Sequence, residues 1–264
     1  MVFGIEGCGS QVVAIEAGDG DDVSGMTIDH TLPVLVLLPG LDGTGKLFAE
    51  FVRVLKSTVE CVVVAYPKDQ PLGYGELEGL VVSGLPRDQP FVLLGESFSG
   101  PLAIRVAARV PAGLVGLVLC VTFARNPYPS LGWARPLAQY LPVKRFPRWL
   151  RAPLMWGSAS PNSASSHVER AMSGVSAAVV RRRIAELLAV DEAAALRRIQ
   201  CPTLVLRAAR DRVISHRATQ VILKNSPNAK LVEVDGPHLL LQTRTAECAE
   251  QIVSFLRTLK SQAG

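Results

Sequence analysis

The chain has 264 residues, 48% of them hydrophobic and 19% charged, with 28 Lys and Arg against 23 Asp and Glu for a net charge of +5. It is too apolar and too sparsely charged for a globally disordered chain, and its length gives one or two domains with a large core. An excess of five positive charges does not mark a nucleic-acid binder unless it is concentrated in a patch.

The first residues, MVFGIEGCGSQVV, have neither a basic n-region nor a long apolar h-region, so no secretory signal is expected. Residues 11–17 and 23–28 flank the turn-like Gly18-Asp19-Gly20-Asp21 and are expected to form an antiparallel hairpin on a sheet edge. Apolar runs follow at 32–38 (LPVLVLL), 59–65 (VECVVVA), 91–94 (FVLL), 114–121 (LVGLVLCV), 203–206 (TLVL) and 229–234 (AKLVEV). They are short, continuous and rich in β-branched residues, the pattern of strands buried on both faces of a parallel sheet. Helical spacing over 48–55, 101–109 and 246–259 sets helices between and after them. Strands alternating with helices argue an α/β fold with right-handed crossovers.

Residues 123–198 break the alternation. They hold no strand-like run, prolines at 127, 129, 136, 142, 147, 153 and 161, all three tryptophans, and an Ala/Arg-rich helical stretch at 177–196. The expected organisation is a core of 1–122 and 199–264 with 123–198 as an insertion resting on the sheet. Trp133, Trp149 and Trp156 are expected in the core of that insertion. Mean hydropathy is +0.27, but the longest nearly apolar stretch, 114–124, has only 11 residues. A transmembrane segment needs ~18–20, so none is expected. Cys8, Cys61, Cys120, Cys201 and Cys248 are an odd, scattered set without C-x-x-C. That argues against a disulfide framework or a zinc site and fits a reducing cytoplasm. Cys61 and Cys120 read as small core hydrophobes.

The strongest chemical signal is residues 92–101, VLLGESFSGP. A buried strand ends at Gly95, Ser97 occupies the turn and a helix follows. A serine on such a turn exposes its hydroxyl above a helix N-terminus. Small residues are required two before and two after it; here they are Gly95 and Ser99, so the pattern is G-x-S-x-S. Residues 37–45, LLPGLDGTG, form a glycine-rich loop that can present a backbone N–H towards the serine, with Asp42 and Thr44 as turn residues. A phosphate loop would need G-K-[ST], and Gly45-Lys46 is followed by Leu47. Asp211 follows the strand in CPTLVLRAARDRVIS, and His238 follows the strand in VEVDGPHLLL. The chain order Ser97, Asp211, His238 is that of a nucleophile-elbow hydrolase. No Asp or Glu lies between Glu96 and Glu169, and Asp235 shares a loop with His238, which leaves Asp211 as the carboxylate at a strand end. Glu96 reads as an acceptor holding a nearby loop, and His30, His167 and His216 as surface residues.

On these motifs the chain resembles the α/β-hydrolase superfamily, in its pimeloyl-carrier-protein methylesterase and carboxylesterase region, over residues 32–259. The resemblance implies an α/β-hydrolase fold, a mostly parallel central sheet flanked by helices, with 123–198 as a helical cap shaping the acyl and alcohol pockets. It implies Ser97 as nucleophile, His238 as general base and acid, Asp211 as the group orienting His238, and the N–H groups of Leu41 and Phe98 as oxyanion hole. Many relatives begin the oxyanion loop His-Gly. Pro39-Gly40 here keeps the backbone role and removes a side-chain hydrogen bond.

The expected activity is hydrolysis of a small-molecule carboxylic ester through an acyl-enzyme, without metal or organic cofactor. Hydrolysis of a thioester, or transfer of the acyl group to an alcohol or amine, would use the same site. A non-catalytic binding protein would have no need to keep all three triad positions. Residues 98–168 carry Arg105, Arg109, Arg125, Arg135, Lys144, Arg145, Arg148 and Arg151 with no acidic residue. Such a face is either solvated or meets something anionic: an acidic acyl carrier protein, a substrate carboxylate or a lipid surface.

Overall fold

The computed structural model describes residues 12–13, 29, 31–143 and 162–263. Seven strands form one sheet: β1 (Val12–Val13), β2 (Val34–Leu38), β3 (Cys61–Val64), β4 (Phe91–Glu96), β5 (Leu114–Cys120), β6 (Thr203–Ala208) and β7 (Ala229–Val234). Their order is β1-β3-β2-β4-β5-β6-β7. β2 to β7 pair in parallel, while β1 runs antiparallel to β3 with Val12 opposite Val64. The six apolar runs are thus the six parallel strands. The first arm of the expected hairpin contributes β1 at the sheet edge; its turn and second arm lie outside the described residues.

The continuous apolar runs are explained by helices on both faces. Val34, Val36 and Leu38 point into one core with Phe91 and Leu93, covered by α2 (Tyr74–Ser83), α3 (Gly100–Ala107) and α7 (His216–Asn225). Leu35 and Leu37 point into the other with Val92 and Leu94, covered by α1 (Ala49–Leu55) and α9 (Thr245–Ala263). Period-2 alternation of side chains therefore needs apolar residues at every strand position. Cys120 is buried in the second core, and burial pushes its thiol well up.

Between β5 and β6, the described residues add no strand to the sheet. They form a 3₁₀ stretch (Pro129–Tyr140), α4 (Asn162–Ser173), α5 (Ala177–Leu187) and α6 (Ala193–Leu196), with a single bridge between Arg125 and Asp191. Val175, Val179 and Val180 make a small cluster of their own, against which Leu41 from the loop after β2 packs. Trp133 does not join a core as expected: it is 73% exposed. It lies in the 3₁₀ stretch with Pro129 and Pro136, which buries only Ala138. Trp149 and Trp156 lie outside the described residues. Among the described residues, no helix is long and apolar enough to cross a membrane.

Parallel strands end on a common edge, so the loops after β2, β4, β6 and β7 gather there. The approach of α3 to that edge is very close. A Cβ on Gly95 would stand 2.7 Å from the Ser99 carbonyl oxygen and 2.8 Å from Ala103 Cβ. A Cβ on Gly100 would fall 1.9 Å from Thr122 Oγ1. Both glycines are therefore steric requirements of the turn that carries Ser97. Gly100→Ala should destabilise the fold by at least the ~1–3 kcal/mol typical of overpacking. It would be read as a lower urea midpoint at unchanged slope, and an unchanged midpoint would show that the contact relaxes freely.

Candidate active site

Ser97 begins the 3₁₀ turn Ser97–Ser99 that joins β4 to α3, with φ at 49°. A non-glycine residue in that left-handed region costs on the order of 1–3 kcal/mol and persists only where its surroundings over-determine it. Here the surroundings do. Thr122 Oγ1 donates to the Ser97 carbonyl. Tyr74 donates its hydroxyl to the Phe98 carbonyl at 2.8 Å and stacks on the Phe98 ring at 4.7 Å. Ser99 donates to the Pro39 carbonyl, and its oxygen lies 2.6 Å from the Tyr66 hydroxyl. Because the Ser99 proton goes to Pro39, Tyr66 is the donor of that pair. A glycine at position 99 would leave both partners unmet, which gives the serine a structural reason.

The structure brings Ser97, His238 and Asp211 together. Ser97 Oγ lies 3.0 Å from His238 Nε2, and His238 Nδ1 lies 2.9 Å from Asp211 Oδ2. The other Asp211 oxygen accepts the N–H groups of Val213 and Ile214, both at 2.8 Å, which fixes the carboxylate. The imidazole and the carboxylate are almost wholly buried. Asp235, by contrast, is exposed and pairs with Arg210 at 3.0 Å. In this tautomer Nδ1 donates to Asp211 and Nε2 is free to accept from Ser97.

The loop after β2 lies beside the serine: a Cβ on Gly40 would be 3.9 Å from Ser97 Cβ. Gly43, at φ 68°, donates its N–H to the Gly40 carbonyl at 3.0 Å. In a planar trans peptide the Leu41 N–H then points the opposite way. Among the described residues it has no hydrogen-bond partner. Phe98 N–H belongs to the first turn of the helical segment, where N–H groups lack intrahelical acceptors. Asp42 takes both the N–H and the hydroxyl of Thr44, at 2.9 and 2.6 Å, the expected turn role.

Residues 35–251 match the alpha/beta hydrolase family. The chain belongs to that family. Similar solved structures include the enol-lactonase from Burkholderia xenovorans LB400, at 18% identity and TM-score 0.75, covering 86% of this chain and 92% of that one. The esterase EaEST from Exiguobacterium antarcticum is similar at 16% identity and TM-score 0.74, covering 85% and 92%. At such identities the likeness is one of fold. Among curated proteins, the polyketide synthase ThaQ of Burkholderia thailandensis is 26% identical over 251 residues; the match spans 85% of this chain and 12% of that protein.

In this alpha/beta hydrolase three side chains near the serine carry no obvious local sequence signal. Two of them are Tyr66 and Tyr74, which hold the turn through Ser99 and Phe98. The third is Arg183, whose guanidinium donates to three carbonyls of the core: Leu41 at 2.8 Å, Asp42 at 2.7 Å and Pro67 at 3.1 Å. It lies 5.5 Å from the Tyr66 ring centroid. Burial pulls its pKa below the ordinary arginine value. Its trace in the sequence is a charge on the apolar stripe of a helix, four residues after Val179 and three after Val180.

Three of the eight basic residues at 98–168 have acidic partners from elsewhere in the chain. Arg105, Arg109 and Arg125 pair with Glu192, Glu78 and Asp191. The cluster Lys144, Arg145, Arg148 and Arg151 lies outside the described residues, as does His30; His167 and His216 are exposed. Among the described residues no group of three or more His, Cys, Asp or Glu could hold a metal ion. A cavity of about 380 Å³ opens at the opposite end of the sheet, beside Val110, Leu114 and Cys201. Burial pushes the Cys201 thiol up to about 11, so it offers no thiolate at neutral pH.

Glu96, which precedes the serine, is buried and accepts from Gln242 Nε2 at 3.0 Å. Desolvation pushes its carboxyl up to about 7, against the opposing pull of the Gln242 hydrogen bond; Asp42 adds to the rise, and His238 and the Gly40 N–H oppose it. Because the folded-state value lies above that of the unfolded chain, the neutral form favours folding. Stability from this group is present in full below the ordinary carboxyl value of 4.5 and is lost as pH rises through about 7. Urea midpoints should therefore fall over that window in the wild type and fall less in Glu96→Gln; parallel curves would reject the assignment.

Proposed function

We propose that the protein hydrolyses carboxylic esters through a covalent acyl-enzyme on Ser97. The observation that carries the reading is the continuous chain of hydrogen bonds from Ser97 Oγ through His238 to Asp211, beside a loop with an unclaimed N–H. Ser97 Oγ attacks the ester carbonyl carbon while its proton passes to His238 Nε2. Asp211 holds the imidazole in the accepting tautomer and stabilises the cation that forms. The N–H groups of Leu41 and Phe98 receive the developing oxyanion, a contribution of roughly 3–4 kcal/mol per donor in comparable sites. His238 then protonates the leaving alcohol. Water, deprotonated by the same nitrogen, releases the acid and regenerates Ser97. This route needs no metal or organic cofactor.

Residues 123–198 act as a cap in this reading, enclosing the acyl and alcohol groups above the serine. The family membership and the esterase among the structural neighbours support hydrolysis of an ester. The likeness to a segment of a polyketide synthase is compatible with one variation, an acyl thioester in place of the oxygen ester. The chemistry at Ser97 is unchanged; only the leaving group differs. A small soluble ester substrate and a cytoplasmic location fit the same picture.

Intact mass after a fluorophosphonate should show one adduct on the wild type and none on Ser97→Ala. Asp211→Asn should lower kcat for a chromogenic short-chain ester on the order of 10⁴-fold, while Asp235→Asn stays near wild type. A larger loss in Asp235→Asn than in Asp211→Asn would reverse the assignment. Comparing kcat/KM for matched oxygen and thioesters of one acyl chain separates the two substrate classes.

A further inference from the structure

Arg183 is the largest fully buried side chain among the described residues, at 1% exposure, and the triad makes no use of it. A buried cation is costly unless it is well compensated. Here the compensation is three backbone carbonyls, and among the described residues no carboxylate forms an ion pair with it. Nε is buried without a partner. A lysine could not reproduce this contact, because only the planar guanidinium fork reaches several acceptors at fixed angles. Gly43 is fitted to it: a Cβ there, already strained at φ 68°, would lie 2.4 Å from Nη1. Loop and guanidinium thus occupy complementary space.

Two of the three carbonyls, those of Leu41 and Asp42, directly follow the Leu41 N–H in the loop. The peptide plane between Gly40 and Leu41 is held by the Gly43 N–H on the Gly40 oxygen. Among the described residues the next plane, between Leu41 and Asp42, is held on its carbonyl only by Arg183. We propose that Arg183 is a positioning residue for ester cleavage, fixing the Leu41 N–H donor from the cap side so that the oxyanion hole is complete only while α5 is docked. This rests on the reading of Leu41 as an oxyanion donor. It makes the cap part of the catalytic geometry as well as the substrate enclosure. The expectation differs from that for a pocket residue: truncation lowers kcat and leaves KM little changed, because the donor acts on the transition state more than on the ground-state carbonyl.

The test compares wild type, Arg183→Ala, Arg183→Lys and Arg182→Met, an exposed neighbour on the same helix. A chromogenic short-chain ester gives kcat and KM, urea midpoints give stability, and ethylguanidinium is added at millimolar concentration, well below denaturing levels. Arg183→Ala should lose about 10²-fold in kcat, the scale of one oxyanion donor, with KM changed by less than ~3-fold. Ethylguanidinium should restore part of that loss, and Arg182→Met should match wild type. Arg183→Lys, which keeps charge and most of the packing, should also be slow in kcat, so the idea stays testable if the alanine variant does not fold. A rise in KM at unchanged kcat, or losses that track the urea midpoint and ignore ethylguanidinium, would overturn the proposal. Wild-type protein that a fluorophosphonate does not label overturns the acyl-enzyme reading itself. Labelling of wild type and Arg183→Lys at one rate overturns only the role of Arg183.

Discussion

A buried backbone carbonyl left without a donor costs about 1–3 kcal/mol, and the loop after β2 presents five in succession. Pro39, Gly40, Asp42 and Gly43 are buried and Leu41 is half-buried, so water cannot serve them all. Four groups serve all five. Ser99 supplies Pro39, Gly43 N–H supplies Gly40, Arg183 supplies Leu41 and Asp42, and the Tyr66 N–H supplies Gly43 at 2.7 Å. The donors come from the serine turn, from the loop itself, from α5 and from the chain just after β3. Pairing this one loop therefore fixes the relative position of four separate segments. The Leu41 N–H, by contrast, has no hydrogen-bond partner among the described residues.

The same loop lies between two buried ionisable groups of opposite sign. Arg183 sits on one side, stabilised by carbonyl dipoles. Glu96 sits on the other, with its carboxyl raised to about 7 by desolvation. Among the described residues neither has an ion-pair partner, so both are held by dipoles and hydrogen bonds whose geometry matters more than their number. A neutral Glu96 adds little negative potential beneath the place where an oxyanion would form. An ionised one would oppose it. In the proposed mechanism the raised value thus lessens the opposition to negative charge developing near Ser97, in addition to its effect on stability.

Much of this was legible in the sequence because parallel strands are local objects. A strand buried on both faces must be apolar throughout, so β2 to β7 stood out as runs, and a common strand direction meant that Ser97, Asp211 and His238, each just past a run, would share one edge. Boundaries slipped where polarity interrupts a buried strand, as at Arg207, which extends β6 beyond its apolar run and pairs with Glu233 on β7. What stayed hidden depends on pairs distant in sequence. Nothing near Arg105, Arg109 or Arg125 announces Glu192, Glu78 or Asp191, so a local count of charges does not show that these three are paired. Nothing near Arg183 announces Leu41. Trp133 shows the converse, since a large aromatic in a proline-rich stretch need not be buried when the backbone turns three residues at a time.

The link between Glu96 and Gln242 explains why the serine and the histidine keep their distance. His238 lies in a loop, and a loop side chain alone would wander. Four residues later Gln242, on the short helix α8 (Leu240–Thr243), donates to Glu96, the residue before Ser97. The Leu240 N–H returns to the His238 carbonyl at 2.8 Å and ties that helix to the histidine backbone. The pairs 96 with 242 and 97 with 238 thus form two adjacent rungs between the β4 turn and the segment after β7. Asp211 adds a third restraint from the segment after β6. With the backbone of both partners fixed at two points, the Ser97 to His238 contact needs little further ordering of side chains, and in the proposed mechanism the entropy of bringing nucleophile and base together is lost during folding instead of during each turnover.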